Sequence, residues 1–313
     1  MKIALVTGAA GFIGRHVCER LLKENWKVYG IDNFLSGQVS NIEELNKHYN
    51  FIFLNIDIAK QFSFDFKVDE IWHLACPASP PFYQKDPIHT TKTCVIGTLQ
   101  LLEIARTHNA KMIFTSTSEI YGDPAITPQP ESYNGNVNPL GPRACYDEGK
   151  RCAETLCSDY KRIYNLDIRI VRLFNTYGPY MRLDDGRVIT NFIRQILTNH
   201  SLTVYGTGSQ TRSFCYIDDT VEALFLVMSC ETYPDVINIG NPNEEITILK
   251  LAEKMSTIRK NVEIEFRELP VDDPKRRCPN IERLEKLHWS PKISLMNGLR
   301  MTLEYYEGHC KSL

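Results

Sequence analysis

The stretch "ACYDEGK" (144–150) sets Tyr146 four residues ahead of Lys150. That interval stacks two side chains on one face of a helix. An ordinary phenol has a pKa near 10 and must fall by roughly three units to accept a proton well at neutral pH. A neighbouring ammonium favours the phenolate and supplies part of that fall. The chemistry on offer is removal and return of a hydroxyl proton. Of fifteen tyrosines, Tyr146 alone is followed by lysine four positions later. Inert surface helices use the same spacing, so the surrounding elements decide its meaning.

Those elements alternate. Apolar runs at 2–7, 27–32, 51–57, 70–75, 111–117 and 167–174 read as strands, with helical stretches between them, clearest at 88–108 and 144–164. This alternation predicts an α/β fold with a Rossmann-type doubly wound parallel sheet. On the helix 144–164, apolar residues at 146, 149, 153, 156, 160 and 163 place Tyr146 on the inward side. The segment 119–142 holds five prolines and reads as an ordered loop. Beyond about residue 175 the elements shorten. The expected division is a dinucleotide-binding domain over 1–175, to which parts of 213–240 return, and a smaller α/β C-terminal substrate domain over 176–313.

Between the first strand and the first helix lies "TGAAGFIG", with Gly8, Gly11 and Gly14. Glycines there allow a sharp turn, close approach to a pyrophosphate and tight helix–strand packing. The helix N-terminus then offers N–H groups and a positive dipole end to phosphate. Asp32 ends the second strand, 18 residues after Gly14. A carboxylate there accepts ribose hydroxyls and repels a 2′-phosphate, which predicts NAD rather than NADP. A dinucleotide that takes up hydride gives Tyr146 its role, which is to remove the proton as hydride leaves.

Composition excludes other classes. A net charge of −2 and a charged fraction of 24% leave no basic footprint for nucleic acid. No apolar run reaches the length of a membrane span, and "MKIALVTGAAGFIG" lacks a signal-peptide layout. Ten cysteines occur without Cys-x-x-Cys or zinc spacing, so free thiols in the reducing cytoplasm and no metal are expected.

The strings "HLACPASPP" (73–81), "TSTSEIYGD" (115–123), "NPLGPRACYDEGKRCAET" (138–155), "FNTYGP" (174–179), "DDGRVITNF" (184–192) and "LTVYGTGSQTRSFCYIDD" (202–219) carry a resemblance. The chain resembles the extended short-chain dehydrogenase/reductase family and, within it, the UDP-glucuronate decarboxylases, or UDP-xylose synthases. It departs at Tyr180, where the family often has Arg, and at Gln38, where a basic residue is common.

The resemblance implies a catalytic set of Tyr146, Lys150, Thr117, Ser118, Glu119 and Arg277. Dehydratases of this superfamily generally carry Asp-Glu where this chain has Ser118-Glu119, and simple 4-epimerases usually lack the glutamate. In the implied reaction Tyr146 takes the C4 hydroxyl proton of UDP-glucuronate and hydride passes to NAD. The 4-ketone is then β to the C6 carboxylate, so carbon dioxide leaves into an enolate, which hydroxyls of Thr117 and Ser118 help stabilise. Glu119 and Arg277, in "DPKRRCP" (273–279), handle the carboxylate and the proton returned to C5. Hydride then returns to C4. Without the motif, Lys275-Arg276-Arg277 reads as a solvated basic run.

Cofactor contacts are implied at Gly8, Gly11, Phe12, Ile13, Gly14, Asp32, Asn33, Phe34 and Gly37. Further contacts are implied at Asp57, Ile58, Leu74, Cys76, Thr93, Thr115, Tyr146, Lys150, Thr176 and Arg187. Substrate contacts are implied at Lys92, Asn175, Tyr205 and Arg212; Arg suits phosphate oxygens. Asp218-Asp219 reads as a helix cap. Cys76 lacks a visible His or Asp partner for nucleophilic catalysis. Apolar residues on several faces of 88–108 and 144–164 imply a homodimer. The rival readings are a related nucleotide-sugar 4-epimerase or dehydratase, and a regulatory protein without catalysis; the intact Tyr/Lys/Glu set argues against the last.

Overall fold

The computed structural model describes residues 1–259, 262–268 and 275–309. Asp273 and Pro274, which open "DPKRRCP", lie outside them. In chain order the first strands are β1 (Ile3–Thr7), β2 (Lys27–Asp32), β3 (Phe51–Asn55), β4 (Glu70–His73), β5 (Lys111–Thr117), β6 (Ile168–Leu173) and β7 (Thr176–Tyr177). β8 (Leu202–Tyr205), β9 (Thr211–Ser213), β10 (Cys215–Tyr216), β11 (Val236–Ile239), β12 (Glu245–Thr247), β13 (Ile264–Arg267) and β14 (Arg276–Arg277) follow. The longer helices are α1 (Phe12–Lys23), α2 (Pro87–Lys92), α3 (Thr98–His108), α4 (Ala144–Tyr164), α5 (Val188–Leu197), α6 (Ile217–Ser229), α7 (Ile248–Ile258) and α8 (Leu295–His309).

The expected doubly wound sheet is present, with strand order β11-β6-β5-β4-β1-β2-β3. β1 runs parallel to both β2 and β4, with Thr7 beside Ile31 on one side and His73 on the other. Progress along the sheet reverses at β1 and β4, so the loops leaving their carboxyl ends diverge and open a crevice. The strand interiors are apolar on both faces because helices cover both: Leu5, Val6, Ile31, Ile71 and Phe114 are fully buried. His73 is a neutral strut in this core. Its Nδ1 meets Thr7 Oγ1 and its Nε2 meets Thr98 Oγ1, each at 2.9 Å. Burial, and then the Lys150 charge, hold its pKa well below the ordinary imidazole value.

Three elements depart from the expected boundaries by more than one residue. β3 stops at Asn55, two residues short of 57, because Asp57 begins a turn by accepting Ala59 N–H on Oδ1 (3.0 Å). β4 stops at His73 rather than 75. The stretch 88–108 is not one helix. α2 starts with Pro87 at its first turn and Asp86 as cap, whose side chain accepts from His89 N–H at 2.9 Å. A π turn at Thr93–Gly97 then separates it from α3. Such a turn inserts one residue into the helical repeat and shifts the face that α3 presents.

α4 runs unbroken and ends on Asn165 in the left-handed conformation (φ 54°). Its buried face is Tyr146, Asp147, Gly149, Lys150, Ala153 and Cys157. Leu156 and Tyr160 pack on the core only partly, and Ile163, expected inward, is 66% exposed. The inward stripe therefore ends before the helix does.

The chain forms two compact units. One comprises residues 1–120, 138–172 and 224–237; the other comprises 121–137, 173–223 and 238 onward. The proline-rich segment 121–137 joins the second because Gln129 N–H bonds Cys278 O (2.8 Å) and Asn280 N–H bonds Gln129 O (2.9 Å). In that second unit β9 is flanked by β12 and β14, and β8 pairs with β13. Asp219 does not cap its own helix: its Oδ2 accepts the N–H groups of Lys292 (3.1 Å) and Ile293 (2.9 Å), anchoring the approach to α8. Among the described residues no helix is long and apolar enough to cross a membrane.

Candidate active site

The turn after β1 fits a dinucleotide phosphate. Gly8 has φ +75°, and its N–H bonds Ile31 O at 2.8 Å. A Cβ on Gly14 would stand 2.0 Å from Gly8 O, so only glycine lets α1 meet the turn this closely. Gly11 caps α1 with no side-chain bond, leaving the first-turn N–H groups around Phe12 and Ile13 to an anion. We expect Gly14→Ala to lower NAD affinity by at least ~10-fold, about 1.4 kcal/mol. Gly11→Ala, whose Cβ would stand 3.1 Å from Gly8 O, should lose less. Titration calorimetry with NAD measures both, and unchanged affinity in Gly14→Ala would refute the role of this turn.

Asp32 stands where β2 ends. Its Oδ2 accepts Ala10 N–H (3.1 Å) and its Oδ1 accepts Phe34 N–H (2.8 Å), so it braces the phosphate turn, with acceptor capacity to spare for a ribose. Burial raises its pKa against these bonds. A Cβ on Gly37 would lie 2.8 Å from Asp32 Oδ1, so this loop folds tightly over the carboxylate. Asn33 accepts Leu35 N–H, and Phe34 packs on Phe53. Asp57 takes a hydrogen bond from His89 Nε2 at 3.1 Å. Burial works against it, but that bond leaves its pKa below the usual value. Ile58 is buried at the position where Gly97 of the π turn approaches. Leu74 N–H bonds Thr7 at the end of β1, and Thr93 is buried in the π turn with its hydroxyl on His89 O.

The residues expected to handle the proton form one cluster in the first unit. β5 delivers Thr115, Thr117 and, at its end, Ser118 and Glu119, while α4 delivers Tyr146 and Lys150. Thr117 hydrogen-bonds the Tyr146 side chain and accepts Glu119 N–H at 3.2 Å. Burial pushes the Tyr146 phenol well above its ordinary pKa, the Cys76 charge adds to this, and the Thr117 bond opposes it. Lys150 is buried, but its ammonium donates to Thr115 O (2.8 Å) and lies over the Phe114 ring rather than bonding the phenol. It anchors α4 to β5 and places a positive charge beneath the site.

The second unit holds most of the other expected contacts. Arg212 on β9 and Arg277 on β14 are partners in register. Arg277 is 1% exposed, whereas Arg276 is exposed and paired with Glu245 (Nε–Oε1 2.6 Å). The solvated reading thus fits Arg276 and fails for its neighbour, because successive residues on a strand face opposite sides. Asn175 O accepts Cys215 N–H, and Tyr205 is partly exposed at the end of β8. Thr176 is bonded to Thr220, and Arg187 is ion-paired with Asp185. Lys92 is exposed at the end of α2 in the first unit.

Three residues near Tyr146 escaped the sequence reading. Tyr83 is buried and stacks on Tyr146, with centroids 5.2 Å apart and planes 3° from parallel. Its hydroxyl has no hydrogen-bond partner among the described residues. Arg143 forms an ion pair with Glu119 and approaches Asp147 at 3.9 Å. Arg143 and Asp147 lie within four residues of Tyr146, and that proximity was the available signal; nothing local marked Tyr83.

The chain belongs to the NAD dependent epimerase/dehydratase family, which it matches over residues 4–240. NAD is the cofactor of that family, and the phosphate turn fits it. Among its relatives, UDP-glucuronic acid decarboxylase 6 of Arabidopsis thaliana is 49% identical over 96% of this chain and 87% of its own length. UDP-glucuronic acid decarboxylase 1 of Danio rerio is 45% identical over 97% of this chain and 72% of its own. The crystal structure of UDP-glucuronic acid 4-epimerase from Bacillus cereus, in complex with UDP-glucuronic acid and NAD, superposes with a TM-score of 0.86. It is 32% identical and covers 98% of this chain and 99% of that one.

Proposed function

We propose that this protein decarboxylates UDP-glucuronate to UDP-xylose through a 4-keto intermediate, with NAD regenerated in each cycle. The observation that carries the reading is Ser118-Glu119 at the end of β5, beside Tyr146, with Glu119 held by Arg143. The pairing is absent from the dehydratase pattern, which has an acid at the first position, and from the simple epimerase pattern, which lacks the glutamate. Bound NAD supplies a hydride acceptor for C4 and later the hydride donor. Tyr146 takes the C4 hydroxyl proton and returns it. Thr117 bonds the phenol, and the hydroxyls of Thr117 and Ser118 stabilise the negative charge that develops on the C4 oxygen. Glu119 and Arg277 handle the carboxylate and the C5 proton, Arg212 and Asn175 the diphosphate, and Tyr205 the nucleoside. We assign the remaining cofactor contacts as the family resemblance implies them.

The test is NMR of the purified protein with UDP-glucuronate deuterated at C4 and no added NAD. The expected product is UDP-xylose with the label back at C4. A UDP-hexuronate product inverted at C4 would make the protein an epimerase, and loss of label to solvent or free cofactor would refute retention of the cofactor.

We also infer a cytoplasmic homodimer. The described cysteines are all free thiols, as a reducing compartment keeps them. Ile88, Ile96, Leu99, Ile163 and Tyr164 leave apolar surface open around α2, α3 and α4, which supports pairing of two copies there. Light scattering at micromolar concentration should return twice the chain mass; a monomer mass would exclude this interface.

A further inference from the structure

Two cysteines that handle no proton in this reaction, one of them the implied cofactor contact Cys76, stand beside its base. Cys76, in the loop after β4, and Cys94, in the π turn, bring their Sγ atoms to 3.2 Å. They lie 18 positions apart in the chain, and the fold, not local sequence, makes the contact. Cys94 is buried against α4: a Cβ on Gly149 would stand 2.9 Å from Cys94 Cβ and 3.1 Å from its Sγ. Gly149 lies between Tyr146 and Lys150 on the buried face of that helix. Cys76 is only partly buried, which leaves it within reach of a small oxidant where bound cofactor does not cover it.

The two thiols differ in a way that divides the labour. Burial raises the pKa of Cys76, but the Cys94 hydrogen bond and the Lys150 charge outweigh it and hold the group below the ordinary thiol value. The same hydrogen bond, with burial, pushes Cys94 well above that value. Cys76 is thus the readier of the two to meet an oxidant as its thiolate, and Cys94 the thiol that resolves it.

We propose that Cys76 and Cys94 form a reversible disulfide on exposure to hydrogen peroxide, and that this modification stops the chemistry at Tyr146. The Cys76 thiolate attacks one peroxide oxygen; the O–O bond breaks and hydroxide leaves, taking up the proton that Cys76 had released. The Cys94 sulfur then attacks the resulting sulfenic sulfur, the S–S bond forms, the S–O bond breaks, and water departs with the Cys94 proton. Two thiols are oxidised and one peroxide becomes two waters.

A disulfide needs its sulfurs about 2.0 Å apart, so the pair must close by roughly 1.2 Å from its separation of 3.2 Å. Gly149 backs Cys94, so the closure displaces the loop carrying Cys76 or the part of α4 carrying Tyr146. A misplacement of about 1 Å in a reacting group costs on the order of 100-fold in rate. This second half rests on the proposed role of Tyr146; the cross-link itself does not.

The experiment treats the enzyme as purified with stoichiometric hydrogen peroxide. Peptide mapping after alkylation reads the linkage, and turnover of UDP-glucuronate is followed before and after dithiothreitol. We expect a linked 76–94 peptide, a roughly 100-fold fall in turnover, and recovery on reduction. Cys94→Ser should keep its basal turnover and resist peroxide, while Cys152→Ser, which removes an exposed thiol, should behave as the native chain. Absence of the 76–94 linkage in excess peroxide, or equal inactivation of Cys94→Ser, would overturn the proposal. Linkage that forms and reverses with turnover unchanged would leave the modification standing and refute its hold on Tyr146.

Discussion

Tyr146→Phe loses turnover of UDP-glucuronate by ~100-fold to ~10,000-fold, the usual worth of a positioned general base. The substitution removes one oxygen and keeps the ring that stacks on Tyr83, so packing around α4 survives. It also removes the hydroxyl that Thr117 bonds, and Thr117 then retains the Glu119 N–H as partner. Binding of UDP should be nearly unchanged, because the residues assigned to the nucleotide lie in the second unit. Single-turnover measurement of the reduced cofactor's absorbance, beside a UDP titration, separates the two effects. Near-normal turnover would mean that another group takes the proton.

Arg277→Ala should release carbon dioxide at least ~100-fold more slowly, as expected when a reacting group loses its orientation. A guanidinium offers a carboxylate two parallel N–H bonds that an ammonium cannot reproduce. Held at right angles to the plane of the new ketone, the breaking bond would align with the carbonyl. Arg277→Lys is therefore expected to share the defect while keeping a charge at this buried position. Arg212→Ala, its register partner across β9 and β14, should mainly weaken UDP binding. Labelled carbon dioxide from UDP-glucuronate, a UDP titration and a thermal melt for each variant make the comparison. Normal release from a folded Arg277→Ala would show that the residue supports only the strand on which it sits.

The sequence by itself determined what short-range geometry encodes. Apolar alternation specified the doubly wound sheet, because strands covered on both faces must be apolar throughout. Three glycines at fixed spacing specified the phosphate turn, because a Cβ at Gly14 has no room against Gly8 O. A spacing of four residues from Tyr146 to Lys150 specified their common face of α4. The tertiary structure decided where those groups spend their hydrogen bonds and which charges lose water. Lys150 turned to Thr115 O rather than to the phenol, a choice made by where β5 passes beneath α4. Tyr83 reached Tyr146 from 63 positions away, and Cys94 reached Cys76 across the π turn; neither contact leaves a periodic trace in the chain. Arg276 and Arg277 are identical in type and adjacent, yet one is solvated and the other buried. Strand alternation requires them to face opposite sides, and the β9–β14 pairing selected which of the two went inside.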